Sequence, residues 1–209
     1  DTLYAGGFFT NAGGSTASNI AAWNGSSWAP LGAGIGGVIP LSYVHALAVD
    51  TDGTLYVGGQ FWMAGGTSAK NIARWDGSAW SKMTNGLGSG AGGEAVFALA
   101  IDGAGTVYAG GSFEGDPSLL AKWSGTNWID LGFFGMNGGS IFALAMDANN
   151  HLYVGGSFTQ ANWSTANRIA KWDGAAWSTL GSGMGKRVAN YPAYGSYIYA
   201  LALDSAGNL

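Results

Sequence analysis

The sequence predicts an all-β protein made of repeated four-stranded antiparallel units, and three observations carry that prediction. One stretch recurs: Leu3-Tyr4-Ala5-Gly6-Gly7-Phe8-Phe9, Leu55-Tyr56-Val57-Gly58-Gly59-Gln60-Phe61, Val107-Tyr108-Ala109-Gly110-Gly111-Ser112-Phe113 and Leu152-Tyr153-Val154-Gly155-Gly156-Ser157-Phe158 start at positions 3, 55, 107 and 152, in steps of 52, 52 and 45 residues. A period of that size marks a repeat architecture. Eight of the ten Trp residues pair at a spacing of five: Trp23 with Trp28, Trp75 with Trp80, Trp123 with Trp128 and Trp172 with Trp177. Each pair straddles a Gly turn, so the two rings fall on adjacent strands of one hairpin. Finally, each unit fits four strand-like runs into about 40 residues, which leaves no room for a helix of useful length.

The elements follow in order. In the first unit Leu3 to Phe9 is a strand, Thr10 to Asn19 a polar, Gly-rich loop, Ile20 to Trp23 a second run, and Ser27 to Leu31 the strand beyond Asn24-Gly25. Asn-Gly between apolar runs signals a hairpin because both residues tolerate positive φ. The second unit has the full set: Tyr43 to Val49, Thr54 to Phe61, Asn71 to Trp75 and Ala79 to Met83. The third repeats it with Ala95 to Ile101, Thr106 to Phe113, Leu119 to Trp123 and Asn127 to Leu131. The fourth has Ile141 to Met146, His151 to Phe158, Arg168 to Trp172 and Ala176 to Leu180. Near the C-terminus, Tyr199 to Asp204 matches Phe142 to Asp147, the first strand that the first unit lacks. The units therefore read as 1–31 with 197–209, 43–83, 95–131 and 141–180, one domain over 1–209. Either the last strand completes the first unit or the chain is part of a larger array. Gly207-Asn208-Leu209 also aligns with Asp1-Thr2-Leu3, as expected of a window on a longer repeating chain.

Along the second strand, period two puts Leu55, Val57 and Gly59 on one face and Tyr56, Gly58 and Gln60 on the other. Mid-strand glycines weaken a strand unless another backbone or side chain approaches closely. The pairs Gly58-Gly59 and Gly155-Gly156 are therefore expected to be structural, letting neighbouring units pack. Trp75, Trp80, Trp172 and Trp177 are expected to be structural too, with a set of sugar-binding platforms as the alternative.

Composition narrows the function classes. The formal charge is −4, and the 8 Lys and Arg form no basic stripe, which argues against nucleic-acid binding. No apolar run approaches the ~18 residues of a membrane span. With no Cys, disulfide and thiolate-metal scaffolds are excluded. Only 10% of residues are charged, and Gly, Ser, Thr, Asn and Trp are abundant, so an extracellular or cell-surface, bacterial-type protein is expected. The chain starts at Asp1 without a signal peptide and reads as a mature, trimmed or partial chain.

The remaining polar residues yield few candidates. Trp62 and Trp163 break the paired pattern and fall in loops after the second strand, where binding residues tend to sit, so they are the candidate ligand contacts. Asp50-Thr51-Asp52-Gly53 resembles the opening of a calcium loop, which makes Asp50 and Asp52 calcium candidates. No Glu completes that loop, and an Asx turn explains it equally. No cofactor is otherwise expected. Glu94 and Glu114 are the only glutamates, and Asp116 lies near Glu114. His45 and His151 occupy different positions in their units. No nucleophile elbow, zinc spacing or dinucleotide fingerprint is present, so no catalytic residue is assigned.

Taken together, Leu55-Tyr56-Val57-Gly58-Gly59, Trp75 and Trp80, with their parallels in every unit, resemble the blades of kelch-type β-propellers. In style they are similar to glycine-rich bacterial secreted propellers. The resemblance spans essentially the whole chain. It departs from kelch repeats where Trp23, Trp75, Trp123 and Trp172 replace the usual Tyr, and where the loops lack charge. It implies a β-propeller of four-stranded antiparallel blades. The function expected is a non-enzymatic extracellular structural or protein-interaction module, with protein or glycan partners on a loop face and self-association through the terminal strands. The alternatives are a carbohydrate-binding propeller using exposed Trp residues, and the propeller portion of a secreted carbohydrate-active enzyme.

Overall fold

The computed structural model describes residues 2–37, 41–89, 93–115, 118–132, 139–185, 196–204, 207 and 209. The first unit contains β1 (Leu3–Gly6), the short hairpin of β2 (Asn11–Ala12) and β3 (Ser15–Thr16), then β4 (Ile20–Trp23) and β5 (Trp28–Pro30). The connector β6 (Ile35–Gly36) leads to β7 (Tyr43–Val49), β8 (Leu55–Gln60), a second short hairpin of β9 (Met63–Ala64) and β10 (Thr67–Ser68), β11 (Ile72–Trp75) and β12 (Trp80–Lys82). The third unit has β13 (Ala95–Ile101), β14 (Val107–Ser112), β15 (Leu120–Trp123) and β16 (Trp128–Asp130). The fourth has β17 (Ile141–Met146), β18 (Leu152–Gly156), the hairpin of β19 (Gln160–Ala161) and β20 (Ser164–Thr165), β21 (Ile169–Trp172) and β22 (Trp177–Thr179). Among the described residues there is no helix.

Three units form four-stranded antiparallel sheets in the orders β7-β8-β11-β12, β13-β14-β15-β16 and β17-β18-β21-β22. The first unit forms a three-stranded sheet, β1-β4-β5. The two-residue hairpins lie inside segments that the sequence presents as plain loops. Their two strands are too short to show alternation, and only the Gly-Gly tips of the first two give a turn signal. One of them ties the connector down, because β9 pairs with β6 as well as with β10.

The core lies between units. Ile20 and Leu31 of the first unit cluster with Leu55, Val57 and Ala73 of the second. The opposite face of the second sheet, with Tyr56, Ile72 and Met83, clusters with Val96, Val107 and Ala121. Tyr108 and Leu120 then cluster with Ile141, Leu152 and Val154. The alternation expected along the second strand is thus the alternation between two neighbouring units. In repeat proteins this arrangement makes stability a property of each unit and its nearest neighbours.

The glycine pairs set how close those neighbours come. A Cβ on Gly58 would lie 2.5 Å from Val96 Cγ1, and one on Gly110 2.5 Å from Ile141 Cγ2. On Gly59 it would lie 2.0 Å from the Tyr43 carbonyl oxygen, and on Gly156 2.1 Å from that of Ser140. The first glycine of each pair admits a side chain of the next unit, and the second admits the backbone of its own innermost strand.

A β-bulge makes the opposing surface. The register of β7 on β8 shifts between Val44 and Ala46, that of β13 on β14 between Val96 and Ala98, and that of β17 on β18 between Ile141 and Ala143. The extra residue turns Val96 and Leu99 to the same side, so both reach Gly58. In a regular strand, residues three apart would point to opposite faces.

Residues 196–204 continue this pattern. Ile198 N–H donates to the Gly156 carbonyl at 3.1 Å, as Val44 N–H does to Gly7 at 3.0 Å. Gly155 faces Ile198 and Leu201 as Gly58 faces Val96 and Leu99. Among the described residues β1 pairs with β4 alone, and the pairing of the last strand with the first unit that the sequence offered is not formed. The tail instead lies against the fourth unit, where a following unit's first strand would lie.

Replacing Gly110 by Ala is expected to lower stability by roughly 1–3 kcal/mol, the usual cost of forcing extra volume into a packed site. Gly36→Ala, where a Cβ meets nothing within 4 Å, should stay within about 0.5 kcal/mol of the parent. Urea unfolding midpoints of the two variants test the difference; equal losses would refute close approach as the reason for the glycine.

Candidate functional site

The paired tryptophans are cross-strand neighbours, with Trp75 opposite Trp80 and Trp172 opposite Trp177 at ring separations of 5.3 and 5.2 Å. Their indoles also bridge units. Trp80 Nε1 donates to the Leu31 carbonyl at 2.8 Å, and Trp177 Nε1 to that of Leu131 at 3.1 Å. The equivalent Trp128 Nε1 is buried without a partner. The carbonyl it would meet, on Met83, accepts instead from the Thr84 hydroxyl at 2.7 Å. Thr84 stands with φ 54° where the other units carry Gly32, Gly132 and Gly181 at φ 55°, 66° and 58°.

The acidic residues are occupied locally. Asp50 Oδ1 accepts from Thr51 N–H at 2.6 Å, and Asp52 Oδ1 from Thr54 N–H at 2.8 Å, an Asx turn that holds the Asp52 carboxyl below its usual range. Asp102 accepts from the backbones of Ala104 and Thr106 and from Tyr108 Oη. Burial and this carboxylate push the Tyr108 phenol up to about 12. Asp147 accepts the backbone N–H groups of Asn149 and His151, and its Oδ2 lies 2.8 Å from His151 Nδ1. No group of three or more metal-ligating side chains occurs among the described residues. Glu94 is buried, and its Oε1 accepts from Ser89 N–H, Ser89 Oγ and Glu114 N–H at 2.8, 3.0 and 3.0 Å. It is a loop clamp. Asp116, the proposed neighbour of Glu114, lies outside the described residues.

Sequence reasoning missed an aromatic row along the innermost strands. Its members are Phe8, Tyr43, His45, Phe97, Phe142 and Tyr199, with successive ring separations of 4.9, 5.8, 5.2, 5.5 and 5.1 Å. His45, Phe97 and Phe142 are the extra residues of the three bulges. The signal was present: Val44-His45-Ala46-Leu47, Val96-Phe97-Ala98-Leu99, Ile141-Phe142-Ala143-Leu144 and Ile198-Tyr199-Ala200-Leu201 share one pattern. His45 is its imidazole, an exposed ring stacked near-parallel on Tyr43 at 12°, and partial desolvation lowers its pKa from 6.5.

A hollow of about 650 Å³ lies at the turn edge of the third sheet, lined by Tyr56, Arg74, Asp102, Tyr108, Lys122 and Trp123 among others. Tyr56 packs with the third unit and Tyr108 with the fourth. Arg74 and Lys122 lie directly across the strand pair from those tyrosines, on their respective faces. Arg74 therefore faces the third sheet, while Lys122 lies on the far face of that sheet.

The two loop tryptophans occupy different settings. Trp62 N–H donates to the Gly36 carbonyl at 3.2 Å, and its Cβ lies 3.0 Å from where a Gly37 Cβ would stand, so it packs on the connector with 36% of its surface exposed. Trp163 is 62% exposed at the tip of the β19–β20 hairpin. The tips of the other two hairpins are Gly13-Gly14, at φ 58° and 86°, and Gly65-Gly66, at 58° and 83°. In the fourth unit Asn162 and Trp163 hold the same left-handed conformation at 44° and 65°. For a residue with a Cβ this costs about 1–2 kcal/mol.

The substitution changes how the hairpin seats. A Cβ on Gly65 would fall 2.4 Å from Trp80 Cδ1, and one on Gly13 3.1 Å from Trp28. Asn162 carries a Cβ at that position above the corresponding Trp177, so this hairpin cannot settle as closely. Between it and β22 lies a cavity of about 410 Å³ lined by Ala161, Ser164, Trp177, Ser178 and Thr179. Its walls hold an indole and three hydroxyls and no charged side chain.

Inter-unit cores, repeated antiparallel four-stranded sheets and innermost strands in sequence order define the chain as a β-propeller. A family model described as a β-propeller domain of unknown function (DUF5122) matches residues 51–75 and 148–171. These are the second strand, hairpin and third strand of the second and fourth units. No curated protein matches the chain. Among solved structures, it is similar to a chain described as the extracellular domain of the hybrid two component system BT4673 from B. thetaiotaomicron, with 15% identity and a TM-score of 0.61. A second structure, described as the extracellular domain of the one component system BT4673, gives 13% identity and a TM-score of 0.59. In both cases 99% of this chain is covered and 24% of the solved chain, so the chain spans about a quarter of their length. Among the described residues no helix is long and apolar enough to cross a membrane.

The lowered His45 pKa has a definite sign. The unfolded state takes up a proton at a higher pH than the folded state, so stability falls as pH drops through 6.5 toward the folded value. In His45→Phe, which installs the residue found in the next two units, that part of the acid loss should vanish. Unfolding midpoints between pH 7.5 and 5 check this; parallel curves for parent and variant would contradict it.

Proposed function

We propose that this chain is a non-enzymatic extracellular recognition module, part of a larger β-propeller. The single observation that carries the non-enzymatic reading is the disposition of carboxylates. Glu94 is spent on a loop, and Asp50, Asp52, Asp102 and Asp147 are spent on turn N–H groups or neighbouring rings. General acid–base chemistry on a glycosidic bond needs two carboxyl groups facing one substrate. An extracellular setting is supported by the low charge and by the extracellular domains that share the fold. A larger propeller is supported by the tail, which seats as a first strand, and by the greater length of the similar structures. The kelch-type likeness belongs to this reading as well, since every unit carries the di-glycine strand and the Trp pair. Partners would meet the loop face, and a second copy would meet the terminal strands.

Carbohydrate binding is the second reading, favoured by the exposed Trp163 at a strained tip. Structural strain at an exposed tip is a pointer to function.

Incubation of the protein at high concentration with plant and host polysaccharides should release no new reducing ends and no unsaturated products. Release of either, abolished by Glu94→Gln or Glu114→Gln, would overturn the non-enzymatic reading.

A further inference from the structure

The fourth unit closes its hairpin differently from the first two, and a cavity lies between that hairpin and the outermost strand. The first two units close their hairpins with Gly-Gly, whose lack of Cβ atoms lets Gly65 sit against Trp80 and Gly13 against Trp28. The fourth unit has Asn162-Trp163 there, in a conformation that favours glycine. Nothing in the fold requires the exchange, because the sibling hairpins form without it. The fourth unit combines a cavity beside its hairpin with an exposed aromatic ring at the hairpin tip.

We propose that this cavity, between the β19–β20 hairpin and β22, is a binding site for an uncharged saccharide. The proposal rests on the recognition reading above and names its ligand class. Trp177 supplies an indole wall, and its Nε1 is engaged with Leu131, so the ring meets a ligand through its apolar surface. Ser164 and Thr179 supply hydroxyls that can both donate and accept, as sugar hydroxyls do, and Ser178, which donates to the Lys171 carbonyl, can accept. No charged side chain lines the cavity, so an acidic or basic ligand would find no counter-charge there. Asn162 and Trp163 join Ala161 to Ser164, both of which line the cavity, and the Trp163 ring is exposed beside them. Aromatic faces beside a few hydroxyls match the alternating C–H and O–H surfaces of a pyranose ring.

The test compares the parent with the double variant Asn162→Gly, Trp163→Gly, which gives the fourth hairpin the tip of the second. That tip is compatible with the fold, so a folded protein is expected, and circular dichroism checks it. Titration calorimetry uses a panel of neutral hexasaccharides: β-1,4-glucan, β-1,3-glucan, β-1,4-mannan, β-1,4-xylan and α-1,4-glucan. The parent should bind at least one, and the double variant should bind it about tenfold or more weakly, the loss expected on removing one aromatic anchor. Trp62→Ala, in the second unit, should bind as the parent does. Binding that survives in the double variant, or that is lost in Trp62→Ala alone, overturns the site. Failure of the parent to bind any member overturns the ligand class. Neither result produces reaction products, so both are distinguishable from failure of the non-enzymatic reading, which would show as cleavage of the hexasaccharide.

Discussion

The fold depends on one contact, repeated between neighbours: a bare glycine on the second strand of a unit against a branched side chain on the first strand of the next. Gly6, Gly58, Gly110 and Gly155 meet Val44, Val96, Ile141 and Ile198. Much else follows from it. The bulge in each first strand turns Leu47, Leu99 and Leu144 to the same side as that branched residue. The residue displaced by the bulge projects away from the contact, and the displaced residues align into the aromatic row. Because the contact recurs between each pair of neighbours, the chain needs no central core.

A second set of constraints fastens the periphery. Asn19 and Asn71, both left-handed, reach from the end of one loop to the next connector: Asn71 accepts from Phe61 N–H and donates to the Leu87 carbonyl at 3.0 Å. In the fourth unit Arg168 takes this place, donating to the Phe158 carbonyl at 2.8 Å and to that of Ser196 at 2.6 Å. The longer side chain reaches the incoming tail. The repeats are therefore alike in backbone and free to differ in the side chains that hold it. The exchange of Gly-Gly for Asn162-Trp163 is another such difference, and a cavity rather than a clasp lies beside it.

The architecture was legible because its signals are local and repeated. Trp75 and Trp80, five apart across Asp76-Gly77, could hardly fold otherwise than as a hairpin pair. The alternation of Leu55, Tyr56 and Val57 separated the two faces of the strand, and the structure buries both against neighbouring units. The bulges were hidden, since an inserted residue such as Phe97 looks like one more apolar position in an apolar strand. The short hairpins were hidden for the opposite reason: two residues per strand cannot display a period. Trp163 was visible as an oddity, but its meaning depends on what stands beneath it. Only the seating of Gly65 on Trp80 explains why Asn162 beside it matters. The tail could not be assigned from Ile198 to Leu203 alone, because the same strand pattern suits the first unit and a following one.

Each unit carries a glycine for the neighbour on one side and a branched side chain for the neighbour on the other. Copying a unit therefore copies both halves of the joint. A duplicate arrives already fitted to its parent, whichever side it is placed on, and its loops are then free to change. Spacings of 52 and 45 residues within one chain are what such a process leaves behind, with joints unchanged and the lengths between them altered.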